Sequence, residues 1–151
     1  MMWSDRFIYF NGVLFRRRNL KIVGTMHSCG YVQTSIKGRF YLVHRIIWEM
    51  HNGKIPEGME IDHINHDRSD NRIENLRLVT GGENKKNQSI RKRNKSGFTG
   101  VGWHSKAKKW RAEIKSGGVY MYLGLYSSIG DAVNARKMAE IELGFHDNHG
   151  R

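Results

Sequence analysis

Glu60–Lys86 reads EIDHINHDRSDNRIENLRLVTGGENKK, and the way this stretch alternates decides the fold. Met59 to His63, after the Pro56-Glu57-Gly58 turn, has the length and composition of a short strand. Asn65 to Asn71 is rich in turn formers and is expected to be a loop. Leu76 to Thr80 supplies a second strand, and Gly81-Gly82 breaks into a polar helix that carries Asn84 and continues through Lys85-Lys86. Asp62 and His63 are adjacent, and successive side chains of a strand point to opposite faces. Both serve one site only if the strand ends or bends at this pair.

Hydrolysis of a phosphodiester needs a divalent cation on the phosphate and a base on the attacking water. A carboxylate, an imidazole and an amide oxygen supply those parts. IDHIN, then RIENLRLVT, then GEN resemble, in that order and spacing, the HNH endonucleases of the ββα-metal type found in phages and mobile introns. His44-Arg45 also matches the His-Arg common in this subfamily. The resemblance implies a role for each residue. His63 is the general base, an imidazole suited to taking a proton near neutral pH. Asp62 and Asn84 hold one hard divalent cation, Mg²⁺ first and Mn²⁺ as an alternative. Asn75 ties the loop together and orients His63 through the backbone. Products with 5′-phosphate and 3′-hydroxyl ends are expected. On the bland side, Asp and Asn in turns mostly bond their own backbone, so His66 and Asp67 carry no weight alone. His63-x-x-His66 ranks well below as a zinc site, because no further His or Cys stands at suitable spacing.

Toward the amino terminus, Phe7–Phe10, Asn11-Gly12 and Val13–Phe15 form the pattern of a tight hairpin. Tyr31–Ile36, Lys37-Gly38 and Arg39–Leu42 suggest a second. Val43, Ile46, Ile47 and Met50 then fall at helical spacing, with Asn52-Gly53 as a stop. His44 is expected to be a packed, hydrogen-bonded histidine. Arg45 is a candidate phosphate contact, and for the Arg16-Arg17-Arg18 run phosphate contact and simple solvation weigh equally.

The chain has 151 residues and a net charge of +12, enough for one ordinary domain or two very small ones. Between Lys85 and Lys115 stand eleven Lys or Arg against one acid, Glu113. Such a block is the footprint of a polyanion binder, with a solvated face as the bland alternative. Double-stranded DNA is the implied partner and a monomer the expected state. One cysteine, Cys29, rules out an internal disulfide framework and zinc ribbons built on Cys pairs. MMWSDRFIYFNG lacks a basic region followed by an apolar one, and no apolar run approaches the ~20 residues a bilayer crossing needs. An intracellular, cytoplasmic protein without a membrane span is expected.

Beyond the polar, basic stretch NQSIRKRNKSGF, the anchors GVGWH, KWRAEI and YLGLY and an Ala-rich helix resemble an AP2 DNA-binding domain over nearly its whole length. Thr99 and Gly102 stand where the plant-type pattern has arginines, so plant target sequences do not transfer. Alternation independently places Val101 and Trp103, Trp110, Ala112 and Ile114, and Met121, Leu123 and Leu125 on one apolar face, making the tryptophans core. Ser128 with Asp131 looks like a helix start, and Ala132, Ala135, Ala139 and Leu143 form a narrow stripe packing on that face. The opposite face presents His104, Arg111, Glu113, Lys115 and Tyr122, a mixture that suits a major groove. Lys85, Lys86, Arg91, Lys92 and Arg93 are candidate phosphate contacts.

The expected architecture is α+β. Small hairpins and a helix lead into a ββα-metal unit over 1–90, a basic linker covers 91–98, and a three-stranded antiparallel sheet on one helix covers 99–151. The expected function is metal-dependent, site-selective DNA cleavage of the phage homing type. A DNA-binding regulator that no longer cuts is the alternative, and an RNA-directed role is third because no aromatic RNA-recognition signature is present.

Overall fold

The computed structural model describes residues 2–87, 90, 93–147 and 149–150. The chain divides into two compact units, residues 1–84 and 85–151.

In the first unit, β1 (Phe7–Phe10) and β2 (Val13–Arg16) pair around Asn11-Gly12, both in the left-handed region, and β3 (Ile22–Val23) adds an edge that the sequence reading did not anticipate. β4 (Thr25–Met26), equally unanticipated, joins β5 (Val32–Ile36) and β6 (Arg39–Leu42) in a second small sheet. Helix α1 (Val43–Asn52) follows directly and stops at Gly53. Its Val43, Ile46 and Ile47 are buried with Phe7, Leu14, Val23, Ile55, Ile61 and Leu76 in one core. That core reaches β7 (Met59–His63) through Ile61 and β8 (Leu76–Thr80) through Leu76. Fully burying a side chain of this size stabilises by about 1.5–3 kcal/mol, so the core fixes the β7–β8 hairpin. The short α2 (Gly81–Lys85) leaves β8 with Thr80 and Glu83 bonded to each other at its start.

The second unit is an antiparallel sheet of β9 (Val101–His104), β10 (Lys109–Ser116) and β11 (Val119–Tyr126), with β10 central. Helix α3 (Ile129–Glu142) is capped by Ser128, whose hydroxyl accepts from the Gly130 N–H. Val101, Ala112, Ala132 and Val133 form its small core. Two expectations need correction. First, a β-bulge breaks the register: Ala112 faces Gly124, whereas Glu113 already faces Tyr122. Leu123 is the extra residue and Leu125 pairs with Arg111, which moves Leu125 to the face opposite the helix. Gly124, at φ +133°, makes the kink and keeps the space beside the Tyr126 ring open. Second, Trp103 is not core: it is 55% exposed and meets Trp110 edge-on across the β9–β10 pair, with ring centroids 5.3 Å apart. Trp110 is half-buried. Alternation assigns a face but cannot say how far along that face the helix reaches.

Of the α3 stripe, Ala132 and Ala139 are buried, together with Val133 and, unexpectedly, Arg136. Arg136 donates to Glu113 O and, at 2.7 Å, to Glu140 Oε1, so its charge is paired where the sheet meets the helix. Among the described residues no helix is long and apolar enough to cross a membrane.

Candidate active site

β7 pairs with β8 so that Asp62 faces Arg77 and His63 faces Leu76, and β7 ends at His63. Both side chains are buried, Asp62 at 9% and His63 at 3% exposure. Strand period sets Glu60 and Asp62 on one face and Ile61 on the other with His63. On the first face Arg77 donates twice to Asp62 Oδ2, at 2.8 and 3.1 Å. Also there, Asn84 on α2 donates its amide to Glu60 Oε2. Asn84 has thereby committed its nitrogen, and its carbonyl oxygen is the atom left to bind a cation. Asp62 and Asn84 are hard oxygen donors of the type Mg²⁺ or Mn²⁺ takes, so the donor chemistry fits a divalent cation.

On the second side, His63 lies among aromatic rings. His44 meets it edge-on at 4.9 Å, and Tyr31 lies 5.9 Å from it and 5.2 Å from His44. His44 is packed as expected, but its buried Nδ1 has no hydrogen-bond partner, which departs from the hydrogen-bonded histidine anticipated. Burial first, then His63 and Arg45, push the His44 pKa down to about 3. It is therefore a neutral wall of the site at any working pH.

The connection from Ile64 to Asn75 is closed by Asn75. The Asn75 side chain accepts from the Asn65 N–H at 3.0 Å and donates to Asp70 O at 2.8 Å, while its backbone oxygen accepts from Ile64 N–H at 2.9 Å. Within the loop Asp67 holds Ser69, and Asp70 holds Asn65 and Arg72. The Arg72 hydrogen bond keeps the Asp70 carboxyl down at about 2. The amino-terminal hairpin braces this loop. The Tyr9 hydroxyl accepts from Ile73 N–H at 3.1 Å, and a Cβ on Gly12 would lie 2.9 Å from Arg72 N. Only glycine, here at φ +82°, lets that turn approach so closely.

Four side chains beside the expected ones went unnoticed in the sequence. Asn71, 3% exposed, places Oδ1 3.1 Å from His63 Nε2. Tyr31 walls the ring, Arg77 pairs with Asp62, and Glu60 holds Asn84. Period 2 along β7 offered a signal for Glu60, and counting back from the hairpin offered one for Arg77. For Asn71 and Tyr31 no local pattern does so.

The expected nucleic-acid contacts divide in location. Arg45 is exposed on α1, in the first unit. In the second unit Lys85 and Arg93 are exposed, whereas Lys86 donates to Leu143 O at 2.6 Å. Arg91 and Lys92 lie outside the described residues. The β9–β10–β11 register puts His104, Arg111, Glu113, Lys115 and Tyr122 on the face away from α3. There Lys115 Nζ lies 4.6 Å from the Tyr120 ring centre and Arg111 pairs with Glu113 at 3.3 Å.

Comparison with known proteins bears on residues 41–86, which match the family model described as HNH endonuclease. The matched span includes His44, Asp62, His63, Asn75 and Asn84. Protein 3.8 of Escherichia phage T7 is 37% identical over 75 residues, which are 50% of this chain and 62% of that protein. An uncharacterized gene 5.3 protein of Enterobacteria phage T3 is 41% identical over 56 residues, 33% of this chain and 55% of that protein. The chain thus spans somewhat over half the length of these curated relatives. A solved structure titled "DNA binding and cleavage by the HNH homing endonuclease I-HmuI" superposes over 96% of this chain and 90% of its own, with 20% identity and a TM-score of 0.46. By the family match, the segment of residues 41–86 that carries Asp62, His63, Asn75 and Asn84 is similar to the HNH endonucleases.

Proposed function

We propose that this chain is a metal-dependent DNA endonuclease that cuts one strand per site, as a monomer, and leaves 5′-phosphate and 3′-hydroxyl ends. The observation that carries this reading is the end of β7, where Asp62 and His63 are buried side by side within a matched HNH segment. His63 takes the proton from the attacking water. Asp62 and Asn84 hold the cation through oxygen atoms, with Mg²⁺ first and Mn²⁺ as the alternative. When bound, the cation supplies charge neutralisation at the phosphate and at the leaving 3′ oxygen. Asn75 keeps the loop closed behind His63, and Arg45 and Lys85 lie exposed for phosphates.

The second unit, in this reading, is an AP2-like module. Its outer face, with Arg111, Glu113, Lys115 and Tyr122, selects or anchors the duplex. Two weak sites on one chain raise each other's effective concentration, so neither needs a large interface. A site-selective, homing-type role in a phage-infected cytoplasm is consistent with the phage relatives. One observation favours the non-cutting regulator instead: Asp62 is already paired with Arg77. Incubation with supercoiled plasmid, in Mg²⁺ and in EDTA, separates the two. Nicked product in Mg²⁺ alone, resealable by ligase, is the expected result. Intact plasmid in Mg²⁺ and Mn²⁺ across a target library, with DNA binding retained, would give the regulator reading.

A further inference from the structure

We propose that Arg68 is a substrate-phosphate contact: its guanidinium, held on the Tyr31 ring at the rim of the site, takes a backbone phosphate of the DNA strand beside the one that is cut. The inference rests on the nuclease reading of the site and adds a residue, from the loop between β7 and β8, to which neither the motif nor the basic stretches give a part.

The loop's charges single it out. Of the three arginines between Glu60 and Thr80, two are already neutralised. Arg72 donates to both carboxylate oxygens of Asp70, at 2.9 and 2.7 Å, and Arg77 donates twice to Asp62. Arg68 pairs with no carboxylate among the described residues. Its neighbour Asp67 is committed to Ser69, accepting from the backbone N–H at 2.9 Å and from the hydroxyl at 2.6 Å.

What holds Arg68 leaves that charge available. Its Cζ lies 4.8 Å from the Tyr31 ring centre, and Nη1 donates to Cys29 O at 2.9 Å. The stem runs beside Gly30, where a Cβ would lie 3.7 Å from Arg68 Cδ. Cys29, Gly30 and Tyr31 thus cradle one side chain, and their turn is itself closed: His27 N–H bonds to Tyr31 O and Gly30 N–H to His27 O, both at 2.8 Å. A carbonyl and a ring face order a guanidinium without cancelling its charge, and the side chain is exposed. Its planar fork matches two oxygens of a phosphate, and fixing it beforehand lowers the entropic cost of the contact.

Tyr31 also sets how far this cation stands from the chemistry. The same ring centre lies 5.9 Å from that of His63, so Arg68 and His63 both rest against one aromatic side chain. Successive phosphates of a strand advance by ~3.4 Å along the duplex axis. A strand with one phosphate at His63 therefore brings a neighbouring phosphate within reach of Arg68.

Salt-dependent DNA binding of the full chain in EDTA, beside urea unfolding and plasmid cutting in Mg²⁺, tests this with two variants. Arg68→Gln keeps a planar amide for Cys29 O and the Tyr31 ring but carries no charge, whereas Arg68→Lys keeps the charge without the fork. Arg68→Gln should reduce the slope of log affinity against log salt by about one ion and slow cutting roughly 10-fold, with the unfolding midpoint unchanged. Arg68→Lys should restore the slope and only part of the cutting. A wild-type slope in Arg68→Gln would overturn the proposal and leave Arg68 as a clamp between loop and turn. Should Arg68→Gln fail to fold, Arg68→Met, which keeps the apolar stem beside Gly30, takes its place in the same titration with the same two outcomes. A wild type that cuts no plasmid would remove the nuclease reading, while the salt slope would still decide the Arg68 contact.

Discussion

The two units place their polar side chains in opposite ways. In the first, Asp62, His63, Asn71 and Asn75 are all buried at 9% exposure or less. In the second, Arg111, Lys115, Tyr120 and Tyr122 are exposed on a sheet whose other face packs on α3. Buried polar groups must be satisfied by one another, so the first unit fixes geometry, which is what bond cleavage needs. Exposed cations and rings, held only by solvent-facing contacts such as Arg111 with Glu113 and Lys115 with Tyr120, can rearrange to meet a partner of varying shape, which is what binding needs. Changes in the first unit should act on rate and stability, and changes on the outer face of the second should act on affinity and salt dependence.

The largest expected effect checks that the second unit's outer face depends on its core. Ile114, 1% exposed on β10, sits between the outward Glu113 and Lys115. Ile114→Ala should cost roughly 2–5 kcal/mol and weaken DNA binding with it, measured by urea unfolding beside a binding titration. Binding lost without stability would mean that Ile114 itself meets the partner. Next, Asn75→Ala removes two side-chain hydrogen bonds that close the site loop. A loss of about 1–3 kcal/mol together with slower cutting is expected. Unchanged cutting would separate the loop from the site.

His44 gives a pH test of the buried unit. Above ~6.5 both folded and unfolded chains hold it neutral. Below that the unfolded chain takes a proton that the folded one refuses until about 3. Its contribution therefore lowers stability as pH falls from about 6.5 to 3, by up to ~1.4 kcal/mol per pH unit. His44→Phe should flatten the urea-midpoint profile in that window, and an unchanged slope would remove His44 as its source. The smallest effect belongs to the exposed face. Lys115→Ala should weaken DNA binding by about 1 kcal/mol and reduce the salt slope by about one ion, without altering the unfolding midpoint. No change in either binding quantity would take Lys115 out of the interface.

The parts of this molecule that follow local rules are legible in the sequence. Asn11-Gly12 and Lys37-Gly38 announced hairpins because few residues accept their backbone angles. Val43, Ile46 and Ile47 announced α1 because their spacing matches its buried side. Asp62, His63, Asn75 and Asn84 stood out because three linked blocks share one order. What stayed hidden depends on distant partners. Asn71 resembles any turn-forming Asn until the loop folds back on β7. Tyr31 comes 32 residues before His63 in the chain, and no periodicity links them. The β11 bulge appears only when eight residues must pair with β10 around a kink at Gly124. Trp103 alternates like a core residue yet sits largely in the open.

The most direct test of this division of labour is His63→Ala, assayed at once for plasmid cutting and for DNA affinity in Mg²⁺. Cutting should fall by roughly 10²- to 10⁴-fold, while affinity stays within about twofold of wild type, since His63 is buried and the outer sheet face is untouched. Cutting at the wild-type rate would contradict the account, because the proton would then be leaving water by way of another group.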